Sequence, residues 1–185
     1  TGKINLKNGI FDIKTKTLEP SNPDYFFRTT VNTSYDPNAK CPKWVSFLDS
    51  IMEGDSERVL LLQQMVGYIL MGGRPFLEKA FAFLGDGRNG KSVFLSILKE
   101  LIGSGNYSPL SLKVFGEKFE TSMLDGKLCN ISTDEGDDFK VNSGAFKTVV
   151  SGEEILVQNK GKDAYSLTIT ARFVFACNKV PYFGD

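Results

Sequence analysis

The chain has 185 residues, 41% of them hydrophobic and 12% aromatic, with Lys plus Arg and Asp plus Glu balanced at 22 each. That length and apolar share suit one core domain with a smaller appendage and exclude a wholly disordered chain. The balanced charge is silent about partners, so any nucleic-acid footprint is local, and three cysteines without a single histidine exclude the usual zinc ligand sets.

Cys41, Cys129 and Cys177 are far apart in sequence and odd in number. They read as free thiols acting as small apolar residues, which suits a reducing cytoplasm better than a secreted framework. No apolar run reaches the ~18–20 residues of a membrane span, and no signal peptide is visible. The chain starts at Thr1 without an initiator Met and stops at Asp185 just after an apolar segment. Both ends read as cut, so a larger parent protein is expected.

The first predicted element is a β-hairpin, with Ile4 and Leu6 alternating with polar residues, Asn8-Gly9 as the turn, and Ile10, Phe11 and Ile13 following. Residues 14–43 carry Pro20, Pro23, Pro37 and Pro42 and read as a long surface connection with room for one short strand. Pro42 then suits a first helical turn, and Trp44, Phe47, Leu48, Ile51 and Met52 share one helical face. Gly54 ends that helix, and Asp55 or Ser56 caps the next. Leu62, Met65, Val66, Ile69 and Leu70 form its apolar face, and Gly72-Gly73 stops it.

At Ala80-Phe81-Ala82-Phe83-Leu84 the pattern becomes continuously apolar, as expected of a strand buried on both faces of a parallel sheet. A Gly-rich loop follows, and Val93, Phe94, Ile97, Leu98 and Leu101 then repeat at helical spacing up to Gly103. A second strand is expected over 128–133, a helix around 143–150, and paired strands at 154–158 and 165–169. Phe173 to Cys177 is a third candidate buried strand. The alternation of strands and helices argues for an α/β fold with a parallel central sheet flanked by helices. Residues 1–75 form the hairpin and helical region before it, and residues 76–185 the core.

The pattern G-x-x-x-x-G-K-[ST] occurs at Gly85-Asp86-Gly87-Arg88-Asn89-Gly90-Lys91-Ser92. Glycines let the backbone curl so that several N–H groups converge on one anion, and the helix that starts there adds its positive end. In this P-loop reading Lys91 reaches the β- and γ-phosphates of ATP and the Ser92 hydroxyl completes a Mg2+ shell. Gly85, Gly87 and Gly90 also spell a dinucleotide fingerprint. That fingerprint wants an acid about 20 residues on, and residues 105–115 hold none.

A P-loop NTPase needs a second strand ending in acid. Asp134 and Glu135 fit, Asp134 for Mg2+ and Glu135 to activate the attacking water, although Asp137 and Asp138 lie nearby. Asn178 follows the third apolar strand. By residue type alone it is a turn former; in an ATPase with a central sheet a polar residue there can sense the γ-phosphate or orient the water.

The ordered set resembles superfamily 3 helicases, specifically the helicase part of phage and plasmid primase-helicases related to poxvirus primase-helicases. Gly85–Ser92 matches Walker A, and Gly126-Lys127-Leu128 leading to Asp134-Glu135 matches Walker B. Phe146-Lys147 and Gly152 follow, then the Lys160/Lys162 hairpin, and Ala176-Cys177-Asn178-Lys179-Val180-Pro181 as motif C. Asn8 to Asp12 and the stretch from Tyr35 to Pro42 look like the region that precedes the ATPase in such proteins.

This resemblance implies an AAA+-like fold, a homo-oligomeric ring, expected to be a hexamer, and ATP-driven translocation on DNA during replication. It also implies an arginine finger downstream of motif C; Arg172 lies before motif C. Lys160 and Lys162, on a turn that would ordinarily be only solvated, become DNA contacts in that setting. An ATPase that loads on DNA without unwinding it is the alternative, with a small-molecule P-loop kinase behind it.

Overall fold

Three antiparallel strands, β1 (Lys3–Leu6), β2 (Gly9–Asp12) and β3 (Thr17–Glu19), open the chain. The computed structural model describes residues 2–135 and 140–184. Leu6 pairs with Gly9, so Lys7 and Asn8 make the turn and Gly9 already belongs to β2. Gly9 is required there because a Cβ would collide with the Glu19 carbonyl on β3. Lys3 ties the three strands together, its Nζ lying 2.8 Å from Asp12 and 2.7 Å from Glu19.

Helix α1 (Pro42–Ile51) begins on Pro42, whose fixed φ and missing N–H suit a first turn. Helix α2 (Ser56–Leu70) is capped by Asp55, whose carboxylate accepts from the N–H groups of Glu57 and Arg58 at 3.0 and 3.1 Å. Strand β4 (Ala80–Leu84) leads through the Gly-rich loop into helix α3 (Lys91–Ile102). Then come the two-residue β5 (Tyr107–Ser108), the short α4 (Lys118–Thr121) and β6 (Cys129–Glu135). Strand β7 (Lys140–Asn142) precedes α5 (Ser143–Ser151), the hairpin β8 (Glu154–Gln158) and β9 (Ala164–Thr168), β10 (Arg172–Cys177), and β11 (Tyr182–Gly184), which pairs with β7.

The central sheet is wholly parallel, in the order β4-β10-β6-β5. Side chains alternate across β10, which decides the layering. Phe173 and Phe175 join Leu112, Phe115, Val149, Val157, Leu167 and Ile169 on one face, under α5 and the β8–β9 hairpin. Val174 and Ala176 join Leu48, Leu62, Met65, Phe94, Leu95 and Leu98 on the other, under α1, α2 and α3. The two helices before β4 therefore share a core with the helix after it. The run expected to be buried on both faces, β4, is an edge strand with Ala82 and Leu84 exposed; all six residues of β10 are buried instead. Both runs are apolar because both pack on helices, and only strand order separates them. Leu6, Val31 and Leu128 form a small third cluster that fastens the N-terminal sheet to the rest, helped by an Arg28–Asp125 ion pair at 2.8 Å.

Arg172 sets the junction of α2 with β10. It is 1% exposed, and its guanidinium donates to the carbonyls of Gly72, Gly73 and Thr170 at 2.6–2.7 Å while lying 4.3 Å from the Tyr68 ring centre. Burial pulls its pKa down, opposed by Tyr68 and Cys129. Arg172→Met keeps the volume and leaves three carbonyls without their donor, so it is expected to destabilise the chain by ~3 kcal/mol. Urea unfolding measures this; a change inside the error of the midpoint would show that the guanidinium is dispensable.

Among the described residues no helix is long and apolar enough to cross a membrane.

Candidate functional site

The three strand ends that carry the sequence motifs lie level with one another. Leu84 pairs with Cys177, and Cys177 with Glu135, so the Gly-rich loop, Asn178 and the acidic end of β6 all leave the same edge of the parallel sheet. Pairing slips between Ala176 and Cys177: Ala176 faces Thr133 while Cys177 faces Glu135, which makes Asp134 the extra residue of a bulge. Bulges re-aim the side chains that follow them and recur beside functional sites. The backbone of Asp134 and Glu135 belongs to β6; their side chains, and residues Asp137 and Asp138, lie outside the described residues.

The loop itself is curled. Gly85, Gly87 and Gly90 have φ of 153°, 92° and 84°, and Arg88, at 52°, takes the left-handed region despite its side chain. Its base is seated on α1: a Cβ at Gly90 would stand 2.7 Å from Ile51 Cγ2 and 3.3 Å from Phe47 Cε2. The N-terminal helices thus fix the height of the loop over the sheet. Gly90 caps α3 without a side-chain hydrogen bond, so the first-turn N–H groups of a 12-residue helix have no side-chain cap. Lys91, the first residue of α3, turns its ammonium back into the loop. Its Nζ donates to the Gly85 carbonyl and, at 3.1 Å, to Asn89 Oδ1.

A cleft of about 530 Å³ opens over this end of the sheet, lined by Gly87 through Val93 together with Thr133 and Ala176 through Asn178. That volume lies within the roughly 300–1,000 Å³ of small-molecule sites. Asp86, Ser92 and Asn178 are exposed. The arrangement joins a curled loop, a helix N-terminus, one lysine and one arginine, which is chemistry for holding an anion. Thr133 and Cys177 line the cleft without having been singled out as site residues. Their signal was position alone, Thr133 beside the acidic pair and Cys177 before Asn178.

Lys160 and Lys162 are not part of this cleft. They sit on the connection between β8 and β9, both exposed, where Lys162 N–H donates to Asn159 O at 3.0 Å and Gln158 Nε2 to Lys162 O at 2.8 Å. Gly161, with φ of 76°, completes the turn. Val157 and Leu167 anchor the hairpin in the core face opposite α3.

Fold and site together define a mixed α/β protein with a curled Gly-rich loop at the carboxyl end of a parallel sheet. The family model described as "Family of unknown function (DUF5906)" matches residues 83–185, and one described as "D5 N terminal like" matches residues 1–53. The chain belongs to the first of these families and is a domain of the phage and viral primase-helicase kind. It is 24% identical over 198 residues to "Putative helicase 121R" of Invertebrate iridescent virus 3, a match covering 98% of this chain and 21% of that protein. "Putative helicase L207/L206" of Acanthamoeba polyphaga mimivirus is 24% identical over 191 residues, covering 96% and 20%. The chain thus spans about a fifth of the length of these curated relatives. Among solved structures, the apo NrS-1 C terminal region superposes with a TM-score of 0.64 at 15% identity, over 97% of this chain and 41% of that one. A second apo form gives 0.63 at 17% identity, over 81% and 36%. At these identities the likeness speaks to the fold.

Proposed function

We propose that residues 76–185 are the P-loop ATPase core of a superfamily 3 DNA helicase motor acting in phage or plasmid replication. The observation that carries this reading is that three separate motifs leave the same end of a parallel sheet, with 87–93, Thr133 and 176–178 lining one cleft there and the backbone of Glu135 level with Cys177. ATP is the ligand. Gly85 through Lys91 wrap its phosphates, with Lys91 on the β- and γ-oxygens and Arg88 adding charge at the mouth. Ser92 and Asp134 hold Mg2+, which neutralises charge on the phosphates. Glu135 takes the proton from the attacking water, and Asn178 senses the γ-phosphate from the neighbouring strand end. In the complete protein the motor works as a homo-oligomeric ring, a hexamer in this reading, with Lys160 and Lys162 on the DNA. The helicase names of the viral relatives support this, as does the order of the motifs along the chain.

Mg2+-dependent ATP hydrolysis, with and without single-stranded DNA, is the direct test, followed by strand displacement on forked DNA by the complete protein. Hydrolysis stimulated by DNA with no displacement would favour a loader over a motor. Glu135→Gln is expected to bind Mg·ATP with near-parental affinity and turn it over about 100-fold more slowly, as when a general base is lost. Asp134→Asn is expected to raise the Mg2+ requirement instead. If both variants change only the Mg2+ titration, Glu135 is not the base.

A further inference from the structure

We propose that Asn89 is a positioning residue for Lys91, a latch that holds the lysine inside the loop until an anion takes it. This rests on the reading of Lys91 as the phosphate-binding lysine.

Among the described residues, Lys91 Nζ donates to two acceptors of its own loop: the Gly85 carbonyl and Asn89 Oδ1, the latter at 3.1 Å. The rest of the Asn89 carboxamide lies against Gly85. A Cβ built on Gly85 would collide with Asn89 Nδ2 and stand 3.5 Å from Lys91 Nζ. The side chain of residue 89 therefore fills the space that a side chain at residue 85 would need, and it is wedged between the first glycine of the loop and the lysine. Gly85 serves two ends at once, its φ of 153° and this close approach.

The chemistry of the latch follows from the donor and acceptor types. A carboxamide oxygen and a peptide oxygen are neutral acceptors for an ammonium, and charged phosphate oxygens are stronger ones. The lysine thus leaves these two loop partners by exchange for stronger acceptors. Holding it beforehand also removes part of the rotamer search of a long flexible side chain. Alanine is too short to reach the ammonium. Aspartate would reach it, but would face incoming phosphates with a like charge. Asparagine is the residue that both reaches and stays neutral.

Reductive methylation of the nucleotide-free chain, read by mass spectrometry, tests this without any turnover. Lys91 is expected to react slowly beside the exposed Lys14 and Lys16. Asn89→Ala should raise the Lys91 rate roughly ten- to a hundredfold, the scale of one lost hydrogen bond to a charged group. Lys14 and Lys16 should be unaffected. Asn89→Asp should keep Lys91 slow while weakening Mg·ATP binding, a pairing of effects that a merely structural role for residue 89 would not produce. An Asn89→Ala variant whose Lys91 reacts at the parental rate overturns the latch. Failure of Mg·ATP to protect Lys91 in the parent chain would instead overturn the nucleotide reading, and the two failures are read from separate samples.

Discussion

Lys91→Ala is expected to lower nucleotide affinity by ~10²–10³-fold and to abolish hydrolysis, from the loss of two or so charge-assisted hydrogen bonds to phosphate. The fold should survive. Lys91 is half-buried at the start of α3, and among the described residues it hydrogen-bonds to Gly85 and Asn89 in its own loop. The buried face of α3, Phe94, Leu95 and Leu98, packs in the core without it. The measurement is titration with a fluorescent ATP analogue in Mg2+, with thermal unfolding as the control. A variant that binds and turns over ATP like the parent would remove the basis of the P-loop reading. A variant that has lost its thermal transition would mean that the loop has a structural duty on α1, where Gly90 already meets Ile51 and Phe47.

Signals that act over a few residues were legible in the sequence. Pro42 begins α1, Asp55 caps α2 with two hydrogen bonds, and Gly103 ends α3, each a local rule of helix termini. The 3.6-residue repeat from Phe94 to Leu98 and the alternation along the first hairpin are local in the same sense. What was not legible depends on contacts far apart in the chain. Ala80–Leu84 and Phe173–Cys177 are similar apolar runs, yet one is an edge and the other the centre of the sheet. That difference is set by β10 inserting between β4 and β6, and no window of either segment contains it. Arg172 shows the same point in energy terms. As a sequence position it is one arginine before motif C. Its burial is possible only because the carbonyls of Gly72 and Gly73, a hundred residues away, come to meet it.

The candidate site divides along the same line. The curl of residues 85–92 could be read from their own glycine spacing, because Gly85, Gly87 and Gly90 all take positive φ. Thr133 enters the cleft only through the pairing of β6 with β10. The bulge at Asp134 likewise needs the partner strand to exist. A sequence that says "acid at a strand end" carries no trace of the slip between Thr133 and Glu135, which exists only against the partner strand.

Replacing both Lys160 and Lys162 with Ala is expected to leave basal ATP hydrolysis near the parental rate and to remove stimulation by DNA. The first half follows from geometry. Neither lysine lines the cleft, and both stand on an exposed turn held by Lys162 N–H to Asn159 O and by the Gln158 carboxamide to Lys162 O, which alanine does not disturb. Val157 and Leu167, which bind the hairpin to the core, are untouched. The second half follows from charge. The chain has no net charge to attract a polyanion, so a pair of lysines on one projecting tip is a local basic feature of the kind a DNA path requires. Each lysine that neutralises a phosphate of single-stranded DNA releases counterions worth about 0.7 in the slope of log affinity against log salt. The double variant should therefore show a slope shallower by roughly 1.4. Affinity at low salt should fall by on the order of tenfold, alike for different sequences, because phosphate contacts carry no base information. Fluorescence anisotropy across a salt series measures both, and strand displacement by the complete protein measures the consequence. A double variant that unwinds forked DNA at the parental rate, with an unchanged salt slope, would mean that the tip is a turn and nothing more, and the DNA path would then have to cross another face of the domain.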